Sequence, residues 1–126
     1  MASGLTFDTG ALIAIERRDA RMLKVFHAAV LRRTTITVSA VVIAEWWRGQ
    51  RGTVARDLLL SIDIEPLDET TARAAGEALA ALGGSKAIDA VVMASAARRG
   101  DVVYTSDMPD LARLAARFPA VRVLGV

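Results

Sequence analysis

Five short runs of β-branched and aliphatic residues alternate with helical stretches along this chain. That alternation restricts its fold more than any other feature. The runs at residues 5–7, 35–38, 62–66, 102–105 and 121–124 read as strands. Between them, helical patterns cover 9–18, 20–33, 40–48, 54–61, a stretch that starts at Asp68 or Thr70 and ends at Gly83-Gly84, 86–99 and 108–118. Two strands that point the same way need a crossover between them, and a helix is the usual one. The expected architecture is therefore α/β, with about five short strands in a mostly parallel sheet and helices on both faces. A length of 126 residues suits one domain, 1–126, and no linker or internal repeat interrupts it.

The helix ends carry their own signals. Asp19, Ser39 and Ser85 stand at N-cap positions. Gly100 stands where a helix closes, and Pro119 stops the last one. Met22, Phe26, Ala29 and Val30 form an apolar stripe on the second helix. Ala72, Ala75, Leu79 and Leu82 do so on the fifth, and Leu111, Leu114, Ala115 and Phe118 on the last. Residues 62–66 alternate and end in Pro66, which suits a sheet edge.

Composition removes whole classes of chemistry. With no Cys there is no disulfide, thiol nucleophile or zinc thiolate site. His27 is the single histidine and lies in a helical pattern, away from any nucleophile motif. The start of the chain lacks the pattern of a signal peptide. The longest apolar stretch, 40–47, is broken by Glu45 and is too short to span a bilayer. A cytoplasmic location is expected. The net charge of +2 divides unevenly, +5 over residues 1–56 and −3 over 57–126. A basic half is compatible with a nucleic-acid partner, although on charge alone solvated helix faces are the better account.

Of the fourteen acidic residues, Glu16, Asp19, Asp57, Asp63, Glu65, Glu69, Glu77 and Asp101 fall at caps, turns or solvent faces. Four others resist that explanation. Asp8 ends the first strand, where it could also cap the helix that follows. Glu45 lies in Val41-Val42-Ile43-Ala44-Glu45-Trp46-Trp47, a helix apolar nearly all round, which should be buried. Asp89 sits in Ile88-Asp89-Ala90-Val91-Val92-Met93-Ala94 with almost no polar neighbour. A favourable helix N-terminus contributes about 0.3–1 kcal/mol there, well below the several kcal/mol that burying an unpaired carboxylate costs. Asp107 ends the fourth strand as Asp8 ends the first, with Asp110 three residues on.

In a parallel sheet, strand ends and the starts of the following helices lie along one edge. Asp8 and Asp107 end strands, and Glu45 and Asp89 are expected in the first turns of helices. Four carboxylates converging there repel one another unless a cation lies between them. An all-oxygen set selects Mg²⁺ or Mn²⁺, ions that serve phosphoryl chemistry.

With these motifs in place, the chain resembles the PIN domain, and within it the VapC toxins of bacterial toxin–antitoxin pairs. The resemblance runs through Phe7-Asp8-Thr9-Gly10-Ala11-Leu12-Ile13-Ala14, Ser39 with Ile43-Ala44-Glu45, Ile88 to Ala94, and Thr105-Ser106-Asp107-Met108-Pro109-Asp110-Leu111. It implies a three-layer α/β/α fold and a Mg²⁺- or Mn²⁺-dependent endoribonuclease. Its acidic site maps onto Asp8, Glu45, Asp89 and Asp107. Asp110 is implied as a supporting acid, and Thr9 and Thr105 or Ser106 as hydroxyls that orient carboxylates or water. The resemblance also implies a homodimer inhibited by a VapB antitoxin. Gly10 stands where a Ser is frequent, and Lys86 lies in a variable segment. The adjacent Trp46-Trp47 fits an interface hot spot or the core, and only one of the two fits inward alongside Glu45.

Other readings compete. Asp8-Thr9-Gly10 also spells the aspartic protease signature, but those enzymes are nearly all-β and no second motif follows. A non-catalytic PIN-like binding module, its acids holding a structural cation, is a further alternative. A phosphatase with a nucleophilic Asp8 wants an acid two residues later, where Gly10 stands.

Overall fold

The computed structural model of the chain describes residues 4–126. Strand β1 (Leu5–Phe7) runs into α1 (Thr9–Glu16) through Asp8 alone. Helix α2 (Ala20–Leu31) then leads to β2 (Ile36–Ser39), α3 (Ala40–Trp46), α4 (Thr53–Ser61) and β3 (Asp63–Glu65). Helices α5 (Glu69–Leu82) and α6 (Ala87–Arg99) precede β4 (Val102–Thr105), α7 (Met108–Leu114) and β5 (Arg122–Gly125).

The five strands pair in the order β3-β2-β1-β4-β5, every pair parallel. This is the expected α/β/α arrangement, with β3 on an edge. The chain works outward from β1 to one side and returns through β4 to the other. A switch point therefore lies between β1 and β4, where a ligand crevice opens beyond the strand ends. Helix α1 packs with α2 and α4, and α6 packs with α5 and α7. Phe7, Leu12, Ile15, Met22, Met93, Leu111 and Leu114 fill the core.

Local chemistry explains most boundaries. Asp8, Asp19, Ser39 and Asp68 cap α1, α2, α3 and α5 by accepting from the amides of Ala11, Met22, Val41 and Thr71. Gly100 closes α6 in the left-handed region, at φ 68°. Of the adjacent tryptophans, Trp46 is buried and donates its indole N–H to Glu16, whereas Trp47 is 40% exposed.

The structure departs from the sequence pattern in definite places. Val30 does not join Met22, Phe26 and Ala29 in the core, because the last turn of α2 carries it into solvent with Leu31. The buried side of α5 is Thr71, Ala75 and Ala78, with Ala72 exposed. Arg98 of α6 reaches Asp68 and Thr71, which turns that side inward. Helix α3 ends at Trp46, so Glu45 lies in its last turn and not its first. Helix α7 ends at Leu114, and residues 115–118 continue as tighter i→i+3 turns. Ser85 does not cap α6, since its hydroxyl accepts from Arg113 and the N-cap is Lys86.

Asp101 and Glu65 are not surface acids. Asp101 is 3% exposed and accepts from Thr6 and from Arg99, whose guanidinium also reaches Glu65, Thr6 and Ser95. Burial there is tolerated because each carboxylate has a charged and hydrogen-bonded partner.

Candidate metal centre

The strand ends around the switch point form a cleft of about 370 Å³ lined by Asp8, Thr9, Glu45, Lys86, Asp89 and Asp107 among others. Asp8 leaves β1, Asp107 follows β4, and Asp89 points in from the first turn of α6. All four predicted acids line this one cleft.

Their environments differ. Asp8 is buried, and both its oxygens are engaged. Oδ1 accepts from the Ala11 amide at 2.9 Å and Oδ2 from the Thr105 hydroxyl at 2.5 Å. Burial raises its pKa, and the bonds from Thr105 and from the amides of Ala11, Ser106 and Gly10 pull it back. Glu45 is exposed at the rim, where the Thr9 hydroxyl donates to it. An apolar helix does not bury this carboxylate, because α3 is short and its final turn reaches solvent.

Asp89 is 8% exposed, and its Oδ2 has no hydrogen-bond partner. Desolvation pushes its pKa up, and a hydrogen bond with Asp110 and repulsion from Asp110 and Asp107 add to that. Asp110 moves the other way, held down by the bond from Asp89 and by Arg113, Ser85 and the Lys86 amide. The two close carboxyls thus move apart, Asp89 upward and Asp110 downward.

One oxygen each from Asp89, Asp107 and Asp110 lie within 4.8 Å of one another. Sequence reasoning gave Asp110 only a supporting place, yet it is buried against Asp89. Its spacing of three from Asp107, the N-cap of α7, was the available signal, since a capping carboxylate reaches the amide three positions on. The other missed residue is Lys86, whose ammonium lies 3.6 Å from Asp107 Oδ2. Of the hydroxyls, Thr105 serves Asp8 and Thr9 serves Glu45, while Ser106 packs over Gly10.

A buried carboxylate with one oxygen unpartnered, clustered with two other carboxylates and no sulfur or imidazole, fits a hard divalent cation. Asp8-Thr9-Gly10 opens a helix after a parallel strand, so the all-β protease reading falls.

Fold and site together define a parallel α/β domain whose carboxylate cleft is able to hold a divalent cation. Residues 5–116 match the family model of the PIN domain, and the chain belongs to that family. No curated protein sequence matches it significantly. Among solved structures, a chain of VapBC2 from Rickettsia felis bound to a promoter DNA fragment superposes with a TM-score of 0.76 at 15% identity, covering 97% of this chain and 98% of that one. DNA-bound VapBC from Salmonella typhimurium gives 0.68 at 19%, with 98% of each chain covered. A toxin–antitoxin complex from Klebsiella pneumoniae gives 0.68 at 20%, with 94% and 95% covered. At such identities the likeness is one of fold.

Proposed function

We propose that this PIN domain is a Mg²⁺-dependent endoribonuclease, with Mn²⁺ able to substitute, and the toxin of a toxin–antitoxin pair. The observation that carries the reading is the buried Asp89 Oδ2, unpartnered in a cleft that Asp8 and Asp107 also line. Asp8, Asp89 and Asp107 would hold the ion, with Glu45 completing the set directly or through water. When bound, the ion supplies a Lewis acid that makes water acidic and offsets charge on phosphate oxygens.

The chain's own side chains do the rest. Thr105 fixes the orientation of Asp8, Thr9 fixes Glu45 at the open rim, and Asp110 brings a third carboxylate beside Asp89 and Asp107. Single-stranded RNA suits an open cleft of this kind, because an unpaired strand can bend and splay its bases to bring one phosphate into it. The antitoxin assignment is supported by the likeness to a chain of the Klebsiella toxin–antitoxin complex. The corresponding partner here would be a VapB-type antitoxin that covers the acidic cleft. Among the described residues no helix is long and apolar enough to cross a membrane.

The test is cleavage of a single-stranded RNA by the purified chain with Mg²⁺, with EDTA, and in the variants Asp8→Asn and Asp89→Asn. Cleavage should require the ion and vanish in both variants while circular dichroism remains that of the unaltered chain. Metal-independent cleavage, or variants as active as the original, would sink the proposal.

A further inference from the structure

Lys86 occupies a position that local chemistry disfavours. It is the N-cap of α6, where Ser, Thr, Asp or Asn is preferred and a cation opposes the helix dipole. Its side chain makes no capping bond. It lies instead over the acidic cleft, as the one basic residue among the described residues lining it, with Nζ 3.6 Å from Asp107 Oδ2. Departures from local preference concentrate at functional positions.

The type of residue matters too. Lys24 and Lys86 are the only lysines in a chain whose other fourteen basic residues are Arg. An ammonium on a flexible stem is a compact point charge that can change partners, whereas a guanidinium favours a fixed two-pronged pair. The backbone of Lys86 is held, since its amide donates to Asp110 Oδ2 at 3.4 Å. The side chain is 77% exposed, and an ion pair that open is weak and exchangeable.

We infer that Lys86 is an exchangeable counter-cation of the cleft, pairing with Asp107 in the metal-free protein and positioning a substrate phosphate once a divalent ion takes Asp107. The inference rests on the nuclease reading. Its consequence is a pair of opposed effects from one substitution. Removing the ammonium frees Asp107 and removes a like charge beside the ion, so metal binds more tightly. The same change removes a contact to the phosphate, so RNA binds more weakly.

The test uses Lys86→Gln and Lys86→Arg in the full chain. Mn²⁺ affinity is read without RNA, from the loss of the free-ion signal in electron paramagnetic resonance, and KM and kcat are read separately with RNA. Lys86→Gln should bind Mn²⁺ several-fold more tightly and raise KM about tenfold, the size of one charge-assisted hydrogen bond. Its kcat should stay within a few-fold, because the contact exists before the transition state. Lys86→Arg keeps the charge in a less exchangeable form and should restore KM only in part. An unchanged Mn²⁺ affinity or an unchanged KM in Lys86→Gln overturns the role of Lys86. Absence of Mn²⁺ binding or of metal-dependent cleavage in the unaltered chain overturns the nuclease reading itself.

Discussion

The Thr105 hydroxyl donates to Asp8 Oδ2 at 2.5 Å and accepts from the Asp107 amide at 2.8 Å. One threonine at the end of β4 thus orients the acid that ends β1 and holds the backbone of the acid that follows its own strand. Partners that orient a ligand typically change metal affinity by about 10–100-fold when removed. Thr105→Val should weaken Mn²⁺ binding by about that much, and Thr105→Ser should keep most of it. Calorimetric titration of both variants distinguishes a hydroxyl effect from a packing effect.

Asp89 couples stability to pH. Its pKa is pushed up to about 8 by burial, then by its bond to Asp110 and by repulsion from Asp110 and Asp107. A carboxyl raised above its unfolded value of 3.8 contributes stability that is full below that value and lost as pH climbs toward about 8. Asp110 is lowered to about 2, so its contribution is present above 3.8 and lost only in acid. The metal-free protein should therefore lose Tm between mildly acidic and mildly alkaline pH, and Asp89→Asn should flatten that slope. A divalent ion should reverse it, since it binds the ionised carboxylate and not the protonated one. Thermal melts across pH, with EDTA and with Mg²⁺, read this directly.

Gly10 and Ser106 share one space. A Cβ built on Gly10 would stand 1.8 Å from Ser106 Oγ and 2.3 Å from Ser106 Cβ. Rotating the hydroxyl relieves the first clash but not the second, so Gly10→Ala forces backbone movement beside Asp8. The expected destabilisation is about 1–3 kcal/mol, typical of overpacking. Ser106→Gly in the same chain should recover most of it. Urea unfolding of the single and double variants measures the coupling.

Arg99 serves the fold rather than the cleft. It bonds Asp101 and Glu65 together with Thr6 and Ser95, and Asp101 is 3% exposed. Arg99→Ala leaves Asp101 with Thr6 as its remaining side-chain partner, a buried charge without a cation. Breaking a buried pair in this way costs about 3 kcal/mol at the lower end of the usual range, and Arg99 itself is partly open to water. The urea midpoint should fall accordingly, while Mn²⁺ affinity of the folded fraction stays unchanged.

Element order, most helix caps and the acids at strand ends were legible in the sequence, because each depends on a few neighbouring residues. Asp8, Asp19, Ser39 and Asp68 cap by reaching amides two or three positions ahead. Asp89 stood out because its neighbours from Ile88 to Ala94 offer it nothing polar. Glu45 was read as buried from its apolar neighbours, but a helix of seven residues ends before it can enclose its last turn.

The tertiary structure alone decided which of these residues meet. Thr105 and Asp8 are 97 positions apart, and only the pairing of β4 beside β1 brings them together. The same pairing created the switch point, and with it a cleft that gathers Asp8, Asp89 and Asp107 and admits Lys86. Burial likewise belongs to the packed molecule. It left Asp89 Oδ2, in the first turn of α6, without a partner and gave Asp101, in the turn between α6 and β4, its arginine. Hydrogen bonds to the backbone act over a turn and leave their mark in the sequence, whereas desolvation and charge pairing depend on elements that the chain brings together from afar.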